Sequence, residues 1–346
     1  MERSKPTTKV PAPRREPLEF NLKYRKVRDI AAGTFGFVQQ AKEVGKEHYV
    51  AIKFIKRGNN ITKYVGREIV NHSQLLHPHV VRFHEVFLTE EYLAIVMEYM
   101  DGGDMFAYVK RRRGLEEDEA RWYFQQVVCA LQYIHESGVI IRDIKLENTL
   151  LDSTRRPQAK LCDFGYSKSD KDSLPKSKVG TPGYTAPEVM FNFRSYNGAL
   201  ADVWSSGVML YVMMFCSYPF GAPNEFPTEQ TETKLAEYRE QARQGLCSFP
   251  DQVPVSSEFR DLIRRMLNPD PDQRATIAEV LQHPWTRKDM PEDVLDMNAS
   301  CLQLKGQTAG SQTPEEIQAL VMEAMNIPRE RRKFYTDIVD SQEELW

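Results

Sequence analysis

Three polar residues occur close together at Asp143, Lys145 and Asn148, and an Asp-Phe-Gly motif follows at residues 163–165. Transfer of a phosphoryl group to an alcohol needs a carboxylate near the hydroxyl, oxygen ligands for a magnesium ion, and cations that offset the charge on the moving group. Asp143 can accept the hydroxyl proton, and Lys145 can lie near the phosphoryl group. Asn148 and Asp163 can supply oxygen ligands to the metal. The residue types and their order therefore indicate phosphotransfer chemistry.

The elements that must position these residues change in type along the chain. Residues 24–97 show mostly strand patterns, with a glycine-bearing turn at 31–36 and a helical period between 61 and 76. Residues 117–137 carry an apolar stripe with 3.6-residue spacing. Further helices are predicted at 202–215 and 257–267. We therefore expect an α+β fold in which a connection at 98–103 joins a small strand-rich lobe to a larger helical lobe.

The composition excludes several classes of protein. The chain has 346 residues and a formal net charge of −3, which argues against a general affinity for nucleic acid. Its five cysteines are scattered and never spaced as Cys-x-x-Cys, which indicates free thiols in a reducing compartment. No apolar run reaches the roughly 18 residues of a membrane span. We expect a cytoplasmic protein with no nucleic-acid or membrane partner. An additional nuclear location stays open.

Further motifs accompany the catalytic residues in a fixed order: Ile-Ala-Ala-Gly-Thr-Phe-Gly-Phe-Val at 30–38, Val-Ala-Ile-Lys at 50–53, Ala-Pro-Glu at 186–188 and Asp-Val-Trp-Ser at 202–205. The set resembles the eukaryotic protein kinase family over residues 24–285. The resemblance implies the bilobal protein kinase fold, with an N-lobe at 24–97, a hinge at 98–103 and a C-lobe at 104–285. It also implies a transferase that uses ATP and Mg²⁺ to phosphorylate serine and threonine hydroxyls of protein substrates.

The resemblance assigns roles to individual residues. Asp143 and Lys145 are the implied catalytic residues, and Asn148 and Asp163 are the implied metal ligands. The implied nucleotide-binding residues are Ile30, Ala31, Ala32, Gly33, Thr34, Phe35, Gly36, Phe37, Val38, Ala51, Lys53, Glu98, Met100 and Leu150. Two ion pairs are also expected, Lys53 with Glu68 and Arg274 with Glu188.

The same resemblance implies how the enzyme is regulated and which substrates it prefers. Arg142 is expected to bind a phosphate on the activation segment, and Ser177 is the predicted phosphorylation site. An upstream activating kinase or phosphatase is therefore an expected partner. Thr181, in the serine/threonine pattern, is expected to face the substrate. Asp104 and Glu147 are placed along the substrate groove, which predicts a preference for basic residues upstream of the target.

Two residues depart from the family pattern and motivate other functions. Ala31 occupies the first glycine position of the glycine-rich loop, and Ile141 occupies the position where histidine usually precedes Arg-Asp. A pseudokinase scaffold with weak or no catalysis is one alternative, and a small-molecule phosphotransferase with the same fold is another. The segment at 181–188, which shapes a protein-substrate site, argues against the second. Against the scaffold, the chain retains the residues that such proteins often lose: Lys53, Asp143, Asn148 and Asp163.

The two ends of the chain differ from the central domain. Residues 1–23 predict a disordered basic leader. The C-terminal extension covers 286–346, and the little periodicity of residues 290–313 predicts a linker there. Residues 314–325 predict an amphipathic helix that is too short to be stable alone and should dock. With the motif at 145–152, the extension resembles the plant and green-algal sucrose-nonfermenting-related protein kinases, second subfamily. That resemblance implies packing of the helix on the Glu68 helix, and osmotic or nutrient-stress signalling.

Overall fold

The computed structural model of the chain describes residues 16–32, 36–164, 168–169, 181–191, 196–220, 232–304 and 312–326. These residues form two compact units. The first unit contains described residues of Met1–Ser73, Phe83–Tyr99 and Thr308–Trp346, and the second contains those of Gln74–Arg82 and Met100–Gln307. The C-terminal helix therefore belongs with the N-terminal strands, while a short internal segment belongs with the later helices.

Strands dominate the first unit and helices dominate the second, which confirms the predicted α+β fold. The strands are β1 (Tyr24–Ala32), β2 (Gly36–Glu43), β3 (Tyr49–Lys56), β4 (Phe83–Leu88), β5 (Tyr92–Glu98), β6 (Gly103–Asp104), β7 (Val139–Ile140), β8 (Thr149–Leu151), β9 (Ala159–Leu161) and β10 (Lys168–Ser169). The α-helices are α1 (Lys63–Ser73), α2 (Met105–Arg112), α3 (Glu117–Glu136), α4 (Pro187–Met190), α5 (Gly198–Phe215), α6 (Glu232–Gln244), α7 (Ser257–Met266), α8 (Ile277–Gln282), α9 (Pro284–Arg287), α10 (Val294–Gln303) and α11 (Pro314–Met325). A 3₁₀ helix covers Leu146–Asn148.

The first unit is built on an antiparallel sheet of five strands in the order β1-β2-β3-β5-β4. Successive residues of a strand point to opposite faces of the sheet. Val50, Ile52 and Phe54 of β3 belong to the apolar core on one face. Ile55, which points the same way as Lys53, belongs to the core on the other face, which also includes residues of α1 and α11. We call these two sides the Phe54 face and the Lys53 face.

The N-terminal residues 16–23 are part of the first unit. Leu18 is only 2% exposed in the core of the Phe54 face, and the Glu16 carboxylate accepts a 2.9 Å hydrogen bond from Lys26 Nζ. The predicted disordered leader therefore extends too far at its C-terminal end, because burial of one leucine anchors this stretch to the sheet. An isolated leucine has no periodicity, so the sequence pattern did not reveal the anchor. Residues 1–15 lie outside the described residues.

Helix α11 covers the residues that the sequence predicted, Pro314–Met325. Its N-terminus has a capping box, in which Glu316 N–H donates to Thr313 Oγ1 at 3.2 Å and Thr313 N–H donates to the Glu316 carboxylate at 2.8 Å. Ile317, Val321 and Ala324 are buried in the core of the Lys53 face. The apolar stripe thus packs within the first unit, as expected for a helix that is too short to be stable alone.

Two close contacts fix the position of α11. A Cβ atom at Gly66 of α1 would lie 3.0 Å from Val321 Cγ1, so the glycine allows the two helices to approach closely. Just before α11, the Gln312 side chain accepts a 2.7 Å hydrogen bond from Val86 N–H and donates a 2.9 Å bond to Val86 O in β4. The C-terminal extension is therefore tied to both the helix and the sheet of the first unit.

The second unit is organised around α3 and α5. Of the part of the chain that the structure describes, α5 is the helix long and apolar enough to cross a membrane, but 89% of its 18-residue window is buried inside the protein. It is therefore a core helix, buried on all sides. Helix α3 ends one residue before the predicted bound and contacts α5, α8, α9 and α10. Two small sheets, β6-β8-β9 and β7-β10, lie next to the loops that carry the catalytic motifs.

Residues 294–303 form α10, so the interpretation of 290–313 as a linker is wrong for this part. The helix packs against α3, and Asn298 is only 3% exposed. A polar residue at the centre of the buried face interrupts the apolar stripe on which helix prediction depends. Asn298 therefore both anchors α10 and obscures the apolar pattern from which the helix could have been predicted.

Candidate active site

Three side chains of the loop at residues 141–148 and the Thr181 hydroxyl form one hydrogen-bonded cluster in the second unit. Lys145 Nζ lies 2.7 Å from Asp143 Oδ2 and 2.8 Å from Thr181 Oγ1, and Thr181 Oγ1 donates to Asp143 Oδ1 at 3.0 Å. Asn148 Nδ2 donates to the backbone carbonyl and to Oδ2 of Asp143, both at 3.0 Å. Asp143 is 5% exposed, so this cluster fixes a nearly buried carboxylate in one orientation.

Helix α5 holds the start of this loop through one carboxylate. Asp202, which is fully buried, accepts hydrogen bonds from Arg142 N–H at 2.8 Å and from Ile141 N–H at 3.0 Å. His135 Nε2, near the end of α3, lies 2.9 Å from the same carboxylate. Arg142 has φ 68°, in the left-handed region that non-glycine residues rarely adopt. The bonds to Asp202 stabilise this turn and thereby place Asp143, the next residue.

The side chain of Arg142 lies against Tyr196. Burial raises the pKa of the Tyr196 phenol, and a hydrogen bond with the Arg142 guanidinium acts in the opposite direction. The guanidinium is therefore held by the side chain of a residue near the start of α5. Ser177, the predicted phosphorylation site, lies outside the described residues.

The two predicted metal ligands are brought together by the β8–β9 hairpin. Thr149 pairs with Leu161, and Cys162 N–H donates to Asn148 O at 2.9 Å, so Asn148 and the residue after Cys162, Asp163, lie at the same end of the hairpin. Asp163 has φ 63°, a left-handed conformation that aspartate tolerates better than most residues. The Asn148 amide nitrogen donates to Asp143, which leaves the amide oxygen for a cation. One carboxylate and one amide oxygen fit a hard divalent cation such as Mg²⁺.

In the first unit, Lys53 of β3 and Glu68 of α1 form the ion pair expected from the sequence. Lys53 Nζ lies 3.1 Å from Glu68 Oε1, and Glu68 is 9% exposed. Val38 lies directly opposite Lys53 in the β2–β3 ladder, and Ala51 lies two residues earlier on the same side. A cation held in place by a nearly buried carboxylate fits a contact with nucleotide phosphates.

The remaining predicted nucleotide residues that the structure describes in the first unit divide between the two faces of the sheet. Ala31 pairs with Val38, and Ala32 pairs with Phe37 at the end of β1. Gly36 is required where it lies, because a Cβ atom there would be 1.9 Å from Phe54 O. Ile30 lies in the irregular part of the β1–β2 ladder, between the paired residues 29 and 31.

The Phe37 side chain lies away from Lys53, and its place in the nucleotide site stays a prediction. Phe37 pairs with Phe54, and its ring stacks on the Phe54 ring at 5.1 Å and meets the Tyr92 ring edge-on at 5.3 Å. Its side chain therefore packs on the Phe54 face, opposite Lys53. Glu98 pairs with Val50 and so also directs its side chain away from the Lys53 face. The sheet register decides both outcomes, since neighbouring residues point to opposite sides.

Other predicted residues of the nucleotide set lie elsewhere. Met100, 8% exposed, and Leu150 of β8 belong to the second unit. Gly33, Thr34 and Phe35 lie outside the described residues.

The predicted substrate residues all lie in the second unit. Thr181 contacts both Asp143 and Lys145, as described above. Asp104 is the N-cap of α2, and its carboxylate accepts a 2.7 Å hydrogen bond from Ala107 N–H. This capping is a structural role that the sequence interpretation did not include. Glu147 belongs to the 3₁₀ helix and lies 3.5 Å from the Tyr184 hydroxyl.

The chain that follows Thr181 is held by a buried ion pair. Arg274 Nη1 and Nη2 contact the two carboxylate oxygens of Glu188 at 2.6 and 2.9 Å, and both side chains are at most 4% exposed. Ser205 Oγ of α5 donates to Tyr184 O at 2.8 Å. The Glu188–Arg274 pair expected from the sequence is thus present, and α5 supports this segment as well as the catalytic loop.

The two departures from the family pattern are accommodated by the structure. Ile141 is 3% exposed and belongs to the same apolar core as Phe164, which is 1% exposed. Its backbone N–H retains a polar contact through Asp202. Ala31 is paired in an extended ladder with Val38, a conformation that alanine adopts freely. Isoleucine at 141 leaves the cluster around Asp143 intact, and alanine at 31 leaves the β1–β2 ladder intact.

Three residues with a place in the site had no assigned role in the sequence interpretation. Asp202 has a place in the sequence analysis only within the Asp-Val-Trp-Ser motif at 202–205, and His135, which contacts it, belongs to no motif. Met97 pairs with Ala51 and so shares the Lys53 face. Counting alternate residues from Lys53 along β3 and across to β5 would have found Met97, but that count requires the strand register.

The family described as "Protein kinase domain" matches residues 24–286. The serine/threonine-protein kinase SAPK1 of Oryza sativa subsp. japonica is 44% identical over 306 residues, which cover 87% of this chain and 86% of that protein. The serine/threonine-protein kinase SRK2E of Arabidopsis thaliana is 44% identical over 303 residues, covering 87% and 82%. An abscisic acid-inducible protein kinase of Triticum aestivum is 44% identical over 297 residues, covering 85% and 86%.

Proposed function

Because this chain belongs to the protein kinase family, among the SAPK and SRK2 serine/threonine-protein kinases, we propose that it phosphorylates protein substrates through Asp143, with Mg²⁺ as the divalent cation. The chain is a serine/threonine-protein kinase, and its kinase domain uses ATP as the phosphoryl donor. The observation that supports the role of Asp143 most directly is the cluster of Asp143, Lys145 and Thr181.

Asp143 is the proposed proton acceptor of the reaction. As the serine or threonine oxygen forms its bond to the γ-phosphorus, the bond from that phosphorus to the bridging oxygen of ADP breaks, and the hydroxyl proton moves to Asp143 Oδ. The Asn148 amide and Thr181 hydroxyl keep the carboxylate in one orientation, so that little reorganisation is needed. Lys145, 2.7 Å from the carboxylate, places a positive charge beside the reacting oxygens.

Asn148 and Asp163 are the proposed ligands of the divalent cation, and Lys53 is the proposed contact of the nucleotide phosphates. A bound cation neutralises charge on the phosphates and on the group that is transferred. The support for these roles is the hairpin that places Asn148 beside Asp163, and the 3.1 Å ion pair that orients Lys53. Leu150, of β8 in the same hairpin, and Met100 are proposed nucleotide contacts from the second unit.

Regulation by phosphorylation is part of the proposal. Arg142 lies beside the catalytic base, and its guanidinium can bind a phosphate with charge-assisted hydrogen bonds. We retain Ser177 as the proposed site and an upstream kinase as the proposed partner. Glu147 and Asp104 are proposed to favour basic residues upstream of the target, since each places a carboxylate in the unit that carries the catalytic loop.

The signal and the location are inferred from relatives and from the cysteines. A wheat relative is described as abscisic acid-inducible, and we extend that description to a proposed role in stress signalling, osmotic or nutrient. The five cysteines, all within the described residues, form no disulfide, which supports a reducing compartment, and we propose the cytoplasm with the nucleus as a second location. A fluorescent fusion followed under osmotic stress tests the location, and exclusive targeting to another compartment contradicts it.

A phosphotransfer assay tests the catalytic proposal. The purified chain is incubated with ATP labelled at the γ-phosphate and with three peptides that share an upstream arginine and differ only in a central Ser, Thr or Tyr. We expect labelling of the Ser and Thr peptides, loss of activity with EDTA and recovery with Mg²⁺. Asp143→Asn should lower kcat by roughly 10²–10⁴-fold, while Asp272→Asn, an exposed control, should not. An Asp143→Asn enzyme with wild-type kcat contradicts the role of Asp143 as the base.

A further inference from the structure

The segment Gln74–Arg82 belongs to the second unit, although the chain on either side belongs to the first. It follows α1 directly and precedes β4, so we call it the joining segment. Val81 N–H donates to Leu161 O, and Leu161 N–H donates to His79 O, both at 2.9 Å. The joining segment is therefore paired along β9 within the second unit, and it is joined through the chain to the C-terminal end of α1.

A second anchor of the joining segment comes from the C-terminal extension. The His77 ring stacks on Tyr133 of α3 at 5.0 Å, and its Nε2 lies 3.0 Å from Oδ1 of Asn298 in α10. His77 and Asn298 are 5% and 3% exposed. A hydrogen bond between two buried polar groups strongly favours one geometry, because a buried group that loses its partner has no water to replace the bond.

The hydrogen bonds around Asn298 are consistent with one arrangement of protons. Asn298 Nδ2 donates to Cys129 O and to Gln132 Oε1, both at 3.0 Å, so Oδ1 must face His77. His77 Nε2 is then the donor, and its Nδ1 accepts a 3.1 Å bond from His79 N–H. This arrangement requires a neutral imidazole, and burial lowers the pKa of His77 to about 4. Asn298 thus joins α10, α3 and the joining segment.

We propose that Asn298 is a positioning residue of this kinase, which holds the joining segment through His77 and so restrains the end of the helix that carries Glu68. The inference rests on the proposed function, because Glu68 matters to catalysis through Lys53. The extension then acts on α1 in two ways. Helix α11 packs against α1 directly, and α10 holds the segment that follows α1.

Hydrogen–deuterium exchange of the joining segment tests this inference in the full-length chain. Asn298→Ala should accelerate exchange of the Leu76, His79 and Val81 amides by at least about tenfold, because it removes the bond to His77 and leaves a buried donor unpaired. Ser300→Ala, an exposed position on the same helix, is the matched control and should match the wild type. If Asn298→Ala does not fold, Asn298→Leu, of similar size, replaces it. Wild-type exchange in the joining segment of a folded variant overturns the proposal.

Kinetics and a double mutant separate positioning from simple loss of stability. At a temperature where circular dichroism shows complete folding, Asn298→Ala should reduce kcat several-fold, and Ser300→Ala should not. His77→Ala combined with Asn298→Ala should be no worse than the more damaging single variant, because both remove one bond. If the fold-reductions in kcat of the two single variants multiply in the double variant, the two residues do not act through one hydrogen bond, which contradicts the proposal. Hydrogen exchange is measured without substrate, so its result can be interpreted even if the proposed catalytic roles fail. If Asn298→Ala accelerates exchange in the joining segment but leaves kcat unchanged, the positioning role of Asn298 is overturned.

Discussion

Asp202 accepts a 2.8 Å hydrogen bond from the backbone N–H of Arg142, the residue before the proposed base, Asp143. Arg142 has a positive φ, and Asp202 is fully buried in α5. A core helix thereby imposes an uncommon backbone conformation on the catalytic loop. Strained residues at functional sites persist only where the surrounding structure determines them, and here one carboxylate provides that constraint.

Replacing Asp202 with alanine should therefore affect both stability and catalysis. The variant leaves the N–H groups of Ile141 and Arg142 without their acceptor, so the free energy of unfolding should fall by roughly 1–3 kcal/mol. It should also lower kcat, because the turn before Asp143 loses its support. Urea denaturation and steady-state kinetics measure the two effects. Ser206→Ala, which removes a buried bond to Val203 O on the same helix, is the control and should lower stability without a matching loss of kcat.

Adjacent residues of α11 should differ sharply in their sensitivity to charge. Val321 is 3% exposed and contacts α1 at Gly66, whereas Met322 is 63% exposed. Val321→Asp buries an unpaired carboxylate and should detach α11, which should increase hydrogen exchange of α1 and reduce kcat. Met322→Asp should behave like the wild type. Equal effects of the two variants contradict a role for the docked face.

The buried pair of Glu188 and Arg274 should be costly to break. Arg274→Met leaves a buried carboxylate without its partner, so the free energy of unfolding should fall by about 3–5 kcal/mol. The exposed pair of Asp261 and Arg265 is the comparison, and Arg265→Met should cost only about 0.2–1 kcal/mol. Chemical denaturation measures both. Adding Glu188→Gln to Arg274→Met should recover part of the loss, and no recovery would contradict the burial argument.

Acidification should remove stability that depends on neutral His77 and His79. Burial lowers the pKa of each histidine from 6.5 to about 4, and Lys160 contributes to both shifts. Between these pH values the unfolded chain binds more protons than the folded one, so stability falls as the pH drops from 6.5 to 4 and is fully present above 6.5. The loss is at most about 3 kcal/mol for each histidine.

A variant isolates this effect from the titration of other groups. The difference in unfolding free energy between the wild type and His79→Gln should shrink as the pH falls from 6.5 to 4, because the His79 imidazole is present only in the wild type while His77 is present in both. Denaturation curves at several pH values within that window measure the difference. A difference that stays constant would contradict a lowered pKa for His79.

The elements that the sequence predicted best have strong local signals. Helix α3 has a long apolar stripe, and α11 has a threonine cap followed by proline and glutamate, so the bounds of both were close to those observed. Helix α10 was missed because the centre of its buried face is Asn298. Leu18 was missed because one buried leucine in a polar segment has no period. Local patterns fail where a single residue carries the tertiary contact.

The sequence by itself determined the residue types of the catalytic loop, their order, and the strands and helices that carry them, because these depend on neighbours along the chain. Only the tertiary structure decided which face of the sheet Phe37 occupies, that Asp202 holds Arg142, and that Asn298 meets His77. Strand register and contacts between distant residues depend on how whole elements pack. A pattern of neighbouring residues does not contain that information.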